Sequence, residues 1–284
     1  MKIFFSILTF FLFTGILMGQ DAPKKDEAVV PEKNTFEDLT VINNVSMETL
    51  NKKALSFSIQ HRFGNVNEGF KKDQNFDLLG IFAPANVRLG LDFGITDRFM
   101  LGIGGTKNNY LYDLEWKYRI IRQGTKGGSP LSVTYYGLGA RNSKLDDKFK
   151  TFSSRLSFFH QLIMARKITK KLSLQIAASV SHFNLVDSLM NNDNYSYHFA
   201  GRYQFSPQSS ILLEYNAPIT KAKLFETKPD LAFGWEIATR GHSFQIFLCT
   251  ANSIVKQYDN TYNVNDFSKG EMMIGFNISR RWKF

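Results

Sequence analysis

Met273-Ile274-Gly275-Phe276-Asn277-Ile278-Ser279-Arg280-Arg281-Trp282-Lys283-Phe284 is the last stretch of the sequence, and its side chains fall into two sets. Ile274, Phe276, Ile278, Arg280, Trp282 and Phe284 read to one face. Met273, Gly275, Asn277, Ser279, Arg281 and Lys283 read to the other. A period of two is that of a β-strand. An apolar face opposed to a polar one suits the wall of a cylinder with lipid outside and water within. A final strand of this kind seals such a barrel, so Phe284 and Trp282 are expected to serve as the signal read by the barrel-assembly machinery.

The alternation continues upstream. Leu55, Phe57 and Ile59 oppose Ser56, Ser58, Gln60 and Arg62, while Val87, Leu89, Leu91 and Phe93 oppose Arg88, Gly90, Asp92 and Gly94. Tyr112, Leu114, Trp116, Tyr118 and Ile120 oppose Asp113, Glu115, Lys117 and Arg119. Leu172, Leu174, Ile176 and Val180 oppose Ser173, Gln175 and Ser179, and Ile211, Leu213 and Tyr215 oppose Glu214 and Asn216. Extended over the chain, the pattern predicts an all-β fold. The expected architecture is a closed antiparallel transmembrane β-barrel of about twelve strands over residues 54–284, each long enough to cross at a tilt.

Connection lengths support closure in a membrane. Tight turns are expected at Thr96-Asp97, Thr169-Lys170, Ser206 to Ser209 and Arg240-Gly241. Long loops are expected at Gly64 to Ala85, Arg141 to Lys150, Phe183 to Asn194, Pro218 to Lys228 and Ser253 to Lys269. Outer-membrane barrels have short periplasmic turns and longer external loops. Lys107 to Asn109 is short for an external loop, and Gly124 to Ser129 is long for a turn.

The N-terminus reads as an export signal over residues 1–19. Lys2 supplies the positive start, Ile3 to Leu17 the apolar run, and Gly19 a small residue at the expected cut. Residues 20–53 read as a leader, polar at first, then apolar enough from Phe36 to Leu50 to dock at the periplasmic mouth or inside the lumen. Phe 27, Tyr 11 and Trp 3 make the chain rich in strand-forming aromatic residues. Cys249 stands alone, which excludes an intrachain disulfide framework and a cysteine metal site. The net charge of +10 is spread along the chain without a basic block. It therefore points to anionic headgroups or solutes and not to nucleic acid.

Several stretches resemble an outer-membrane β-barrel family of unknown function from Bacteroidota. They are Val41-Ile42-Asn43, His61-Arg62-Phe63-Gly64, Asn86 through Arg98 with its Gly94-Ile95-Thr96-Asp97-Arg98 turn, Gly102-Ile103-Gly104, and Lys117 through Gln123. The resemblance is sharpest from about Val41 to Tyr136. It implies an outer-membrane location and a barrel fold, and it brings no substrate or catalytic residue with it.

The inward face carries the chemistry. Arg62, Arg88, Asp92, Glu115, Arg119, Arg155, His198, Arg202, Glu214 and Glu236 are the candidate lumen and constriction residues, with Asp113 and Lys117 beside them. In a narrow interior such charges pair or stay hydrated. One reading is a network that holds the lumen shut. The other is a polar pore in which Arg62, Arg88, Arg155 and Arg202 favour anions. The five histidines make no metal-spaced pair. His160 has no Ser and Asn at a spacing that would complete a hydrolase set. The expected function is therefore a narrow porin-like channel for small polar or anionic solutes, without cofactor, metal or catalytic residues. The alternative is a non-conducting barrel that serves an envelope complex. Outer-membrane lipid is the expected partner in either case.

Overall fold

The computed structural model describes residues 30–67, 77 and 79–284. The expected signal peptide and the first part of the leader lie outside the described residues. Along most of the wall polar and apolar side chains alternate, and the chain satisfies both faces by closing on itself. The strands are β1 (Ala54–Asn65), β2 (Asn86–Gly94), β3 (Phe99–Thr106), β4 (Leu111–Ile121), β5 (Ser132–Asn142) and β6 (Leu156–Lys167). They continue as β7 (Leu172–Phe183), β8 (Asp193–Gln204), β9 (Ser209–Pro218), β10 (Asp230–Thr239), β11 (His242–Cys249) and β12 (Met273–Lys283).

All twelve form one closed antiparallel barrel in chain order. β12 pairs with β1 from Met273↔Asn65 to Lys283↔Ala54 and so joins the two ends of the sheet. Closure has a strict cause. Hydrocarbon offers no partner to a backbone N–H or C=O, so a spanning sheet must have no edge.

Leu89, Ile103, Leu114, Phe233 and Ile246 stand exposed on the outer face, as lipid requires. Leu89 is 50% exposed there. Replacing it with Arg is expected to cost about 2–4 kcal/mol if it lies near the bilayer midplane. A urea titration in lipid vesicles measures this, and an unchanged midpoint would contradict the outward assignment. Phe284 is 77% exposed, and its backbone N–H donates to Lys53 O at 3.3 Å. Deleting it should lower the fraction of protein that becomes heat-modifiable on a gel. Wild-type folded levels would remove the assembly role expected of it.

Short turns and long loops segregate to opposite ends. Residues 95–98, 168–171, 205–208 and 240–241 turn at one end; at the other, where β1 ends and β2 begins, 143–155, 184–192, 219–229 and 250–272 cross. The two misfitting connections have local causes. Residues 122–131 are long for a turn because Gly124–Lys126 forms a two-stranded pairing with Val30–Pro31 of the leader. Glu32 N–H adds a bond to Gln123 O at 2.7 Å. The β3–β4 loop is short because it turns through Asn108–Tyr110, with Asn109 at φ 59°. Asparagine tolerates that left-handed conformation better than most residues.

Candidate functional site: a filled lumen beneath an external vestibule

The lumen is occupied by the chain itself. After the pairing at the short-turn end, residues 35–50 run into the barrel and fold back as a hairpin. Thr40 bridges Val45, Ser46 N–H donates to Leu39 O at 2.9 Å, and Val41 N–H donates to Asn44 O at 2.8 Å. Val41, Ile42, Val45 and Met47 are buried. They pack on inward Leu138, Phe159, Ile163, Leu212 and Phe247 of the wall.

A hairpin in a closed space must find partners for its backbone. The wall's polar side chains supply them. The Glu214 carboxylate accepts N–H bonds from Ile42, Asn43 and Asn44 at 2.8, 2.7 and 3.0 Å. Lys117 Nζ donates to Leu39 O, Ser46 O and Glu48 O at 3.2, 3.0 and 2.9 Å. Gln175 accepts from Met47 N–H at 3.0 Å and donates to Val45 O at 2.7 Å. Thr134, Gln245 and Asn277 donate to Met47 O, Thr40 O and Ile42 O. Arg62 donates through Nη2 to Asn43 Oδ1 at 2.7 Å, and Asn43 Nδ2 reaches Asp230 at 2.9 Å.

The long loop between β11 and β12 closes the lumen from the other end. Its helix α1 (Lys256–Tyr262) turns inward, so that Lys256 Nζ donates to Asn43 O at the hairpin tip and Gln257 donates to Ser157 Oγ at 3.0 Å. Burial draws the Lys256 ammonium down from the ordinary lysine range to about 8, against the pull of Asp259.

The remaining candidates pair among themselves. Arg88 spans Asp113 at 2.6 Å and Glu115 at 3.1 Å, and Tyr136 donates to Glu115 at 2.5 Å. Asp92 lies against the same cluster over Gly102, where a Cβ would sit 2.1 Å from Asp92 Oδ1. At Gly104 a Cβ would sit 2.4 Å from Arg88 Nη2. Glycine in β3 therefore makes room for the charges of β2 and β4. Arg202 bonds Glu236 at 2.9 Å and Glu37 of the leader at 3.1 Å. Arg119 lies at the short-turn end, donating to Asp97 O at 2.5 Å. Arg155 departs from the expected constriction. It lies in the turn Ser153–Arg155 before β6 and donates to Asn142 O at 3.3 Å and Lys144 O at 2.8 Å, at the external mouth.

His198 joins Ser179 Oγ at 2.7 Å through Nε2 and Asn216 Oδ1 at 2.9 Å through Nδ1. Asn216 Nδ2 donates to Asp230 at 3.0 Å. The order is that of a nucleophile, base and orienter. The cavity beside His198 and Asn216 is only about 10 Å³, far below what a substrate fills. We read the chain as wall bonding. Inward Ser179 sits within this packed network.

A cavity of about 30 Å³ remains between the hairpin and the Arg88–Glu115 cluster, lined by Gln60, Asp92 and Lys117 among others. It has room for a water molecule or two. The large space lies outside: a vestibule of about 550 Å³ among the external loops, with Tyr258 and Tyr262 of α1 in its lining. Hairpin-binding Gln175, Gln245, Asn277 and Lys256 escaped the sequence reading. The signal was there in β6, where Leu162-Ile163-Met164-Ala165 is apolar on both faces. An apolar inward face means something packs against it.

A family model described as a membrane bound beta barrel domain (DUF5777) matches residues 36–282. No curated protein matches in sequence. Among solved structures the chain is similar to the COG4313 outer membrane channel from Pseudomonas putida F1 at 13% identity and TM-score 0.51. That alignment covers 84% of this chain and 98% of that one. It is also similar to KdgM porin at 11% identity and TM-score 0.45, over 81% of this chain and 99% of that one. At such identities the likeness is one of fold. The matched region starts at Phe36, so it includes the hairpin as well as the wall.

Proposed function

The chain belongs to the DUF5777 family of membrane-bound β-barrel domains, and from that premise we propose that this outer-membrane, porin-like barrel is a channel for small polar solutes that rests closed. The hairpin of residues 35–50 is its gate. One observation carries the reading: the hairpin is held by polar wall groups bonded to its backbone, with Glu214, Lys117 and Gln175 foremost. These groups exchange a hairpin amide for water at little cost once the lumen hydrates. Withdrawal would leave a wet wall of mixed sign. Arg88 and Arg202 already face carboxylates, so the wall has little net preference for anions, and we assign polar solutes without a sign. The gate would leave toward the short-turn end, where the leader is already tied.

Lys117→Met removes the ammonium that holds three hairpin carbonyls. Proteoliposomes carrying it should swell in small neutral sugars faster than those carrying the wild-type chain. If neither this variant nor one lacking the hairpin passes solute, the channel reading fails. A filled, non-conducting barrel serving an envelope complex then stands in its place.

A further inference from the structure

The external vestibule has two unlike walls. One comes from the β5–β6 connection, where Phe149 is flanked by Lys148, with Nζ 5.1 Å from the ring centroid, and by Arg155, with Cζ 4.8 Å from it. Lys148 also pairs with Asp146 at 3.2 Å. Arg155 has no carboxylate partner among the described residues; its Nη1 is spent on two backbone carbonyls. The facing wall is apolar, with Leu185, Val186 and Met190 from the β7–β8 loop and Leu224 from the β9–β10 loop. Its one acid, Asp187, accepts Leu189 N–H at 3.0 Å and also acts electrostatically on Tyr262.

The floor is aromatic. Phe183 meets Tyr258 edge-on at 5.1 Å and Tyr262 at 5.4 Å. Burial lifts the Tyr262 phenol to about 12, so it stays neutral at physiological pH.

A ligand that satisfies all three surfaces has a flat apolar body and one anionic end. The body packs on the rings and the aliphatic wall. The anion meets the guanidinium, whose planar fork suits a carboxylate. The volume of about 550 Å³ is that of a small-molecule site. We propose that the vestibule binds a small aryl or alicyclic carboxylate from the external medium, with Arg155 as its charge partner and Tyr262 as its packing surface. This site is distinct from the lumen. It needs no open channel, so its test is separate from that of conduction.

The test is calorimetric titration of the full chain in nanodiscs with naphthalene-2-carboxylate, against empty nanodiscs and against 2-naphthalenemethanol. The carboxylate should bind at least tenfold more tightly than the alcohol. Arg155→Gln should erase that difference. Tyr262→Ala should weaken both probes at least tenfold. Each variant is first checked for heat-modifiable migration, and one residue stands on a wall and the other on the floor, so a folding defect in one leaves the other informative. Equal heats with loaded and empty discs overturn the proposal. So do wild-type affinities in both folded variants.

Discussion

A chain lacking residues 35–50 should conduct steadily in a planar bilayer in which the intact chain is nearly silent. The barrel's own backbone bonds do not pass through that segment: β12 closes directly on β1, which starts at Ala54. What the deletion removes is the filling of the lumen. Glu214, Lys117, Gln175 and Arg62 lose their hairpin partners together and need water. A buried charge left dry costs several kcal/mol, so the interior must hydrate. A hydrated lumen of mixed charge carries current. Openings of the intact chain at the same rate as those of the deleted chain would show that the hairpin is no gate. Silence in both would count against the channel reading itself.

Glu214→Ala should free the hairpin tip while sparing the barrel. The carboxylate is fully buried and takes three backbone N–H groups. Hydrogen bonds to a charged group contribute about 1.5–3 kcal/mol each. Alanine forfeits them and strands three buried donors, so the loss should reach several kcal/mol, concentrated on Ile42, Asn43 and Asn44. Hydrogen exchange reads it directly. Those amides should exchange at least a hundredfold faster, while the paired amides of β1 and β12 keep their protection. Uniform acceleration through the barrel would mean that Glu214 supports the wall and not the hairpin. Glu214→Gln retains an acceptor and should fall between the two.

The wall of the barrel was legible along the chain because alternation is local. Leu89 beside Arg88 and Gly90 declares its face within three residues, and Trp282 beside Arg281 and Lys283 does the same. Loop lengths declare the two ends in the same local way. The lumen was legible only in outline. That Glu214, Arg88 and Arg202 point inward follows from the period of two, but what each meets does not. Glu214 meets Ile42, which is 172 positions away in sequence. Arg155 shows where the local rule stops. It keeps the phase of β6, yet it lies in the turn before the strand, so the alternation no longer sets its direction.

The sequence by itself determined the cylinder, the split between its short-turn and long-loop ends, and its lipid-facing surface, because each rests on local spacing along the chain and on what hydrocarbon demands of a backbone. Only the tertiary structure decided that the interior is filled, that the wall's charges serve a hairpin, and that the open space lies outside under the loops. Those facts depend on which distant segments occupy one volume, and no spacing along the chain encodes that.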